Sequence, residues 1–108
     1  EIRDQVYYWG ADSETKQWCQ IVTYGGALVE NVVQAIARDL MANGMLRCEE
    51  AGYPIVLTAH DELLAEANMD ELPKRTLENF IENMCALPDW AAGLPVAAEG
   101  WVGRRYRK

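Results

Sequence analysis

The sequence is poor in the residues that build disulfide frameworks and zinc sites. Its three cysteines, an odd number in 108 residues, are Cys19, Cys48 and Cys85, and no two of them have Cys-x-x-Cys spacing. A disulfide framework and a zinc site are therefore not indicated, and we expect reduced core cysteines of a cytosolic protein. The one histidine, His60, excludes sites that take several histidines from separate helices, such as those of HD-type phosphohydrolases.

Positive charge is also scarce. The chain has 10 Lys and Arg against 17 Asp and Glu, a net charge of -7, whereas a self-sufficient nucleic-acid binder normally carries a basic surface. The basic residues that do cluster lie at the C-terminus around Tyr106, and they are Arg104, Arg105, Arg107 and Lys108. We interpret this cluster as a solvated tail, and contact with phosphate is the alternative.

Long apolar runs are absent as well. No run approaches the roughly 18 apolar residues of a membrane-spanning helix, and residues 1–4 lack the charged-then-apolar layout of a secretion signal. The sequence therefore predicts no membrane association. Because it starts at Glu1 and not at Met, we expect a piece of a longer protein.

The composition is that of a folded chain. Hydrophobic residues make up 50%, charged residues 25%, and there are four Trp and five Tyr, which argues against disorder. A chain of this length can bury roughly 65% of the surface that its unfolded form exposes. We predict a single domain, residues 1–108.

An acidic dipeptide and the only histidine lie between two short apolar runs. The runs are residues 55–57 and 63–67, and Pro54 opens the first. This spacing predicts a tight antiparallel hairpin at about residues 54–67. Its tip carries His60, Asp61 and Glu62. Two adjacent carboxylates on a rigid edge call for a divalent metal or a basic neighbour. The alternative is an ordinary solvated turn, because Asp and Glu are common there.

Two further patterns precede this hairpin. Aromatic and β-branched residues at 6–9 and 17–23, with a turn-like segment between them, predict another hairpin. Apolar residues then recur with a four-residue beat, which predicts a helix over residues 27–51 with one apolar face. These apolar residues are Leu28, Val29, Val32, Val33, Ile36, Ala37, Leu40 and Met41. The opposite side carries Glu30, Asn31, Gln34, Arg38 and Asp39. Asn31 and Gln34 are uncharged and suited to reading base edges or sugar.

A second helix and a last strand complete the predicted order. Residues 70–73 have the capping acid and first-turn proline of a helix start, and apolar residues continue at helical spacing until Leu87-Pro88. Residues 96–102 favour an edge strand. The order of hairpin, long helix, hairpin, helix and strand predicts an α+β fold, an antiparallel sheet of hairpins backed by two main helices.

The chain resembles the C-terminal part of the palm of family A DNA polymerases, the DNA polymerase I type, and in particular their phage and prophage relatives. Residues 23–39, Thr-Tyr-Gly-Gly-Ala-Leu-Val-Glu-Asn and the eight that follow, resemble the long palm helix. Residues 58–63, Thr-Ala-His-Asp-Glu-Leu, resemble motif C, and residues 88–95 and 105–108 resemble the ending of phage members. The resemblance covers nearly the whole chain.

The resemblance implies roles for individual residues. Asp61 takes the position of the motif C aspartate that binds catalytic magnesium, with His60 near the primer terminus and Glu62 as a supporting carboxylate. The stretch that follows the primer-template minor groove would contribute Asn31 and Gln34. Glu30 stands where bacterial members carry glutamine, and a carboxylate beside DNA phosphates is disfavoured.

The resemblance also implies partners. In two-metal catalysis, Mg²⁺ ions about 4 Å apart are held by carboxylates from separate strands, and one aspartate cannot complete that cage. Motif A and the fingers helix, which grips the incoming deoxynucleoside triphosphate, are not in this sequence. We therefore expect primer-template DNA and nucleotides to be substrates of a longer protein in the bacterial host cytoplasm, and we expect the isolated chain to be inactive.

A non-enzymatic acidic module for binding or assembly is the alternative function, with the hairpin carboxylates as surface charge. A palm segment without its neighbours would expose apolar surface, so a homodimer of the isolated chain is also expected.

Overall fold

The computed structural model describes residues 4–71 and 77–107. These residues form two antiparallel hairpins, each its own two-stranded sheet, and two α-helices, which confirms the predicted α+β class. The chain divides into two compact units, Glu1–Ala37 and Arg38–Lys108. Within the described ranges, no helix is both long enough and apolar enough to cross a membrane.

The first unit contains the predicted N-terminal hairpin. Strand β1, Val6–Ala11, pairs with β2, Trp18–Thr23, in an unbroken antiparallel register. The connecting turn is organised by Asp12, whose carboxylate accepts hydrogen bonds from the backbone amides of Thr15 and Glu14 at 2.9 and 2.8 Å. These two hydrogen bonds lower the pKa of Asp12, and the bond from Thr15 has the larger effect.

The predicted long helix is present. Helix α1, Gly25–Glu50, begins two residues before the expected start and ends one residue before the expected end. Every residue from 28 to 39 is exposed. The apolar side of this part of α1 is therefore a surface and not the wall of a core, as Val29 at 62% and Val32 at 58% exposure illustrate.

The second unit begins within α1 and packs the end of that helix against α2, Leu77–Cys85. The contact is close because Gly44 has no side chain: a Cβ there would lie 2.5 Å from the backbone oxygen of Met84. Asn43 donates a hydrogen bond to the Ala86 carbonyl at 2.9 Å. Gly44, which sequence patterning marks as a weak point of the helix, is thus a packing position.

The second unit has a small buried core. The buried apolar residues of the described chain are Cys48, Tyr53 and Ala91. The ring of Tyr53 packs against Phe80 with centroids 5.1 Å apart, and its hydroxyl donates to Oδ1 of Asn79 at 2.7 Å. Burial, with smaller contributions from Cys85 and Glu49, raises the pKa of the Cys48 thiol. All three cysteines are free, and of them only Cys48 is fully buried.

The acidic segment forms the second hairpin. Strand β3, Ile55–Ala59, pairs with β4, Glu62–Ala65, in antiparallel register. The register shifts between Ile55 and Leu57, so Val56 is a bulge. Glu49 ties the hairpin to α1, since its Oε1 accepts a hydrogen bond from the Ile55 amide at 2.6 Å.

Two predictions about the C-terminal third need correction or fall outside the described residues. The expected edge strand at 96–102 is wrong: this segment has no regular secondary structure. None of the strands in the described part of the chain pairs with its β-forming residues, and the Val96 amide instead bonds to the Leu94 carbonyl at 3.0 Å. Of the expected start of the second helix, Asp70 lies in the 3₁₀ helix Met69–Glu71, and Leu72 and Pro73 lie outside the described residues.

Candidate functional site at the acidic hairpin

His60 and Asp61 form the two-residue turn between β3 and β4. The turn is closed by the pairing of Ala59 with Glu62, so Glu62 is the first residue of β4 and not part of the turn. Such short loops connect antiparallel strands only when the turn has a suitable twist, which requires positive φ at one or both turn residues. The sequence signal for a tight hairpin is confirmed.

His60 supplies the positive φ, 54°. Glycine, asparagine and aspartate are the usual residues for this conformation, although histidine also tolerates it better than most. A non-glycine residue held there costs of order 1 kcal/mol. Because the two-residue turn itself requires a positive φ, the turn accounts for this backbone conformation, which assigns no role to the imidazole by itself.

The three residues at the tip are exposed. Among the described residues, no side chain or backbone group forms a hydrogen bond or ion pair with the Asp61 carboxylate. Glu62 differs, because its Oε2 accepts a hydrogen bond from the Tyr106 hydroxyl at 3.1 Å. This hydrogen bond, followed by partial desolvation and the charge of Glu62, raises the pKa of Tyr106. Asp61 is thus the carboxylate at the tip that is open to an external ligand.

The tip of the hairpin offers a single free carboxylate, that of Asp61, as a ligand for a hard cation such as Mg²⁺. Aspartate oxygens are ligands that Mg²⁺ prefers, but Mg²⁺ demands an octahedral arrangement of several oxygens. In the ranges 4–71 and 77–107 there is no group of three or more His, Cys, Asp or Glu side chains that could hold a metal ion. Any magnesium bound by Asp61 therefore needs ligands from outside the described residues.

The helix residues singled out by the sequence lie in the first unit. Glu30, Asn31 and Gln34 are exposed on α1, and Nε2 of Gln34 donates to Oε1 of Glu30 at 3.2 Å. This contact between residues four apart joins two of the three side chains on one side of the helix. The hairpin residues form a separate group in the second unit.

Sequence reasoning missed Tyr106 as part of the hairpin site. The interpretation of residues 104–108 as a solvated tail is incomplete: these side chains are exposed from Arg104 to Arg107, but Tyr106 is bonded to Glu62. The sequence signal that could have indicated this contact was charge, because a basic, aromatic segment and an acidic hairpin occur in the same chain.

Comparisons with known proteins point to one class of enzyme. The chain is 41% identical over 98 residues to the DNA polymerase of Bacillus phage SP02, and this match covers 88% of the chain. The chain spans only 14% of the length of that relative. No protein-family model matches the chain, and no solved structure matches it. The similarity supports a segment of a DNA polymerase.

Proposed function

We propose that this chain is the motif C segment of the palm of a family A, template-directed DNA polymerase. The observation that carries the proposal is the 41% identity to a phage DNA polymerase over 88% of the chain. The hairpin adds local support, since it presents an exposed aspartate in a two-residue turn between paired strands. Primer-template DNA, deoxynucleoside triphosphates and Mg²⁺ are the partners this function requires, in the cytoplasm of a bacterial host.

Each residue of the turn has a proposed part in nucleotidyl transfer. When bound, two Mg²⁺ ions would activate the primer 3′-hydroxyl and stabilise charge on the α-phosphate and the leaving pyrophosphate. Asp61 would supply one carboxylate ligand to this site. His60, the other residue of the turn, would contact the primer terminus. Glu62 would be a supporting carboxylate beside Asp61.

Helix α1 would contact the duplex. Asn31 and Gln34 carry donors and acceptors on exposed side chains, which suits the minor groove, where readout depends on a few hydrogen bonds. Glu30 would contribute less, because its carboxylate is repelled by phosphate. The hydrogen bond from Gln34 satisfies one of its oxygens.

The decisive variant is Asp61→Ala in the complete polymerase that contains this segment. Because metal ions stabilise the transition state by several kcal/mol and about 1.4 kcal/mol is tenfold in rate, incorporation should fall by about 10³-fold or more. DNA binding should change little, and a primer-extension assay with a parallel binding assay measures both.

Glu66→Ala is the matched control. Glu66 is also an exposed acid and lies directly after β4, so its removal changes the charge of the same hairpin by the same amount. It should leave incorporation near the wild-type rate. Equal activity of the Asp61 and Glu66 variants would remove Asp61 from the mechanism.

The second candidate is a non-enzymatic binding or assembly module. The exposed apolar side of α1 favours it, because contiguous apolar surface commonly marks an interaction site. The protein sequence upstream of Glu1 separates the two functions. A strand bearing a second metal-binding aspartate, followed by a basic fingers helix, supports the polymerase, and the absence of both favours the module.

A further inference from the structure

The C-terminal loop, residues 101–107, is attached to the folded second unit. Just before it, Gly100 lies against α2, where a Cβ would approach the side chain of Leu77 to 2.9 Å. Near its end, the Tyr106 hydroxyl bonds to Glu62 on β4. The loop therefore has two attachment points, and the second is the residue that follows the His60–Asp61 turn.

The loop also folds on itself. The guanidinium carbon of Arg107 lies 5.2 Å from the centre of the Trp101 ring, a cation–π distance. Gly103 passes so close to the Trp101 indole that a Cβ would overlap it. These contacts bring the two ends of the loop together and gather its arginines around one depression.

This depression, the arginine recess, has a volume of about 240 Å³. It is lined by Trp101, Gly103, Arg104, Arg105 and Arg107. Among these lining residues none is acidic. Arginine presents its N–H groups in a planar fork that matches two oxygens of a phosphate. The composition of the recess is therefore that of an anion site with an aromatic wall.

The acidic net charge of the chain does not cancel this local attraction. At physiological ionic strength, charges more than about 8 Å away in solvent are largely screened. A phosphate in the recess would respond mainly to the arginines that line it. Glu62 accepts its hydrogen bond from Tyr106, and neither of these two residues lines the recess.

We propose that the arginine recess binds the phosphodiester backbone of a nucleic-acid strand and holds that strand beside the His60–Asp61 turn. The proposal deepens the proposed function, on which its choice of DNA rests. Trp101 is 49% exposed, and an exposed indole among arginines is the arrangement with which proteins hold single strands without reading their sequence. Tyr106 acts as a positioning residue that fixes the loop to the hairpin.

The test measures binding of a fluorescein-labelled single-stranded DNA oligonucleotide to the chain by fluorescence anisotropy, without Mg²⁺ and over a series of salt concentrations. Arg104→Gln with Arg105→Gln should weaken binding by tenfold or more. Because each lost contact with a single strand contributes about 0.7 to the slope of log affinity against log salt, that slope should fall by roughly 1.4.

Lys16→Gln with Arg47→Gln is the matched control. Both side chains are exposed, Lys16 in the turn before β2 and Arg47 in the last turn of α1, so this variant has the same net charge as the recess variant. It should keep wild-type affinity and slope. Equal losses in the two double variants, or no binding by the wild-type chain at low salt, would overturn the proposal. Displacement of the oligonucleotide by an equal concentration of deoxynucleoside triphosphate would contradict a strand as the ligand.

Two tyrosine variants test the positioning role. Tyr106→Phe should weaken oligonucleotide binding several-fold while leaving the urea midpoint unchanged. Tyr53→Phe, which removes the hydroxyl that the buried Tyr53 donates to Asn79, should lower the urea midpoint and leave binding unchanged. The reverse pattern would contradict a positioning role for Tyr106.

These measurements are independent of catalysis. The chain with Asp61→Asn should bind the oligonucleotide at least as well as the wild type, since it loses one negative charge. If the recess variant binds the oligonucleotide as well as the wild type does, the strand site alone is rejected. If the Asp61→Ala polymerase is active, the proposed function alone is rejected.

Discussion

Single polar residues fix both hairpin turns of this protein. In the first turn, the Asp12 carboxylate accepts hydrogen bonds from the backbone amides of Glu14 and Thr15, and Lys16 adopts a left-handed φ of 62°. In the second turn, His60 adopts the left-handed conformation. Aspartate is common in such turns because its side chain can hydrogen-bond to the backbone two residues on. Both turns are therefore explained by local structure, the first by the hydrogen bonds to Asp12 and the second by the positive φ of His60 that a two-residue turn requires.

The lowered pKa of Asp12 predicts how the first turn responds to acid. The group's folded pKa lies below its ordinary value of 3.8, so the ionised form stabilises the turn above that value. This contribution is lost as pH falls through the lower folded pKa. NMR should show the amide shifts of Glu14 and Thr15 titrating below pH 3.8 in the wild type. Asp12→Asn should show no such step, and a step at or above 3.8 in the wild type would contradict the assignment.

At the scale of elements, the end of α1 approaches the end of α2 closely at one point in the second unit. The approach depends on Gly44, which is buried, and the neighbouring Asn43 donates a hydrogen bond to the Ala86 carbonyl just after α2. A glycine within a helix costs about 1 kcal/mol relative to alanine. Here that cost is offset by the contact that only glycine permits.

Gly44→Ala should destabilise the chain despite its better helix propensity. The new Cβ would meet a backbone oxygen at 2.5 Å, and overpacking of this kind costs about 1–3 kcal/mol. The expected result is a lower urea midpoint followed by circular dichroism. Gly25→Ala is the control, because a Cβ at the first residue of α1 meets nothing within 4 Å. Equal midpoints for the two variants would show that Gly44 is not a packing position.

At the scale of the whole chain, the structure buries little apolar surface. The fully buried apolar residues of the described ranges are two small side chains and one tyrosine. Large apolar side chains such as Val32, Val33 and Trp18 are more than half exposed. Burial of apolar surface is the main favourable contribution to folding, so we expect a chain with this surface to be only marginally stable by itself. This is the condition expected of a segment that packs against further protein.

The exposed side of α1 predicts self-association of the isolated chain. Light scattering should give an apparent mass that rises with concentration, because association covers apolar surface. Val32→Lys should reduce this rise, whereas Asn31→Lys, which adds the same charge at the next exposed residue, should not. A strict monomer at high concentration would count against the prediction.

The isolated chain should also be inactive as a polymerase. It offers one candidate metal ligand, Asp61, and its described residues form no cluster that could complete a metal site. A primer-extension assay with a homogeneous sample and Mg²⁺ should show no incorporation. Template-dependent synthesis by the chain alone would mean that the catalytic residues proposed here are wrong.

The sequence by itself determined the features that depend on neighbouring residues. Tight turn spacing predicted the hairpin of His60 and Asp61, aromatic and β-branched runs predicted β1 and β2, and the four-residue beat predicted α1 to within two residues at each end. These patterns are local because turn conformation and helix periodicity are set within a few residues.

The tertiary structure alone decided which surfaces meet. Residues 96–102 have strand-like composition, but none of the described strands pairs with them, and they form an irregular segment in which Gly100 lies against α2. The bond between Tyr106 and Glu62 joins residues 44 apart, and no local pattern encodes such a contact. The exposure of the first half of α1 likewise depends on what lies next to it, because an amphipathic pattern specifies an apolar side but not what covers it.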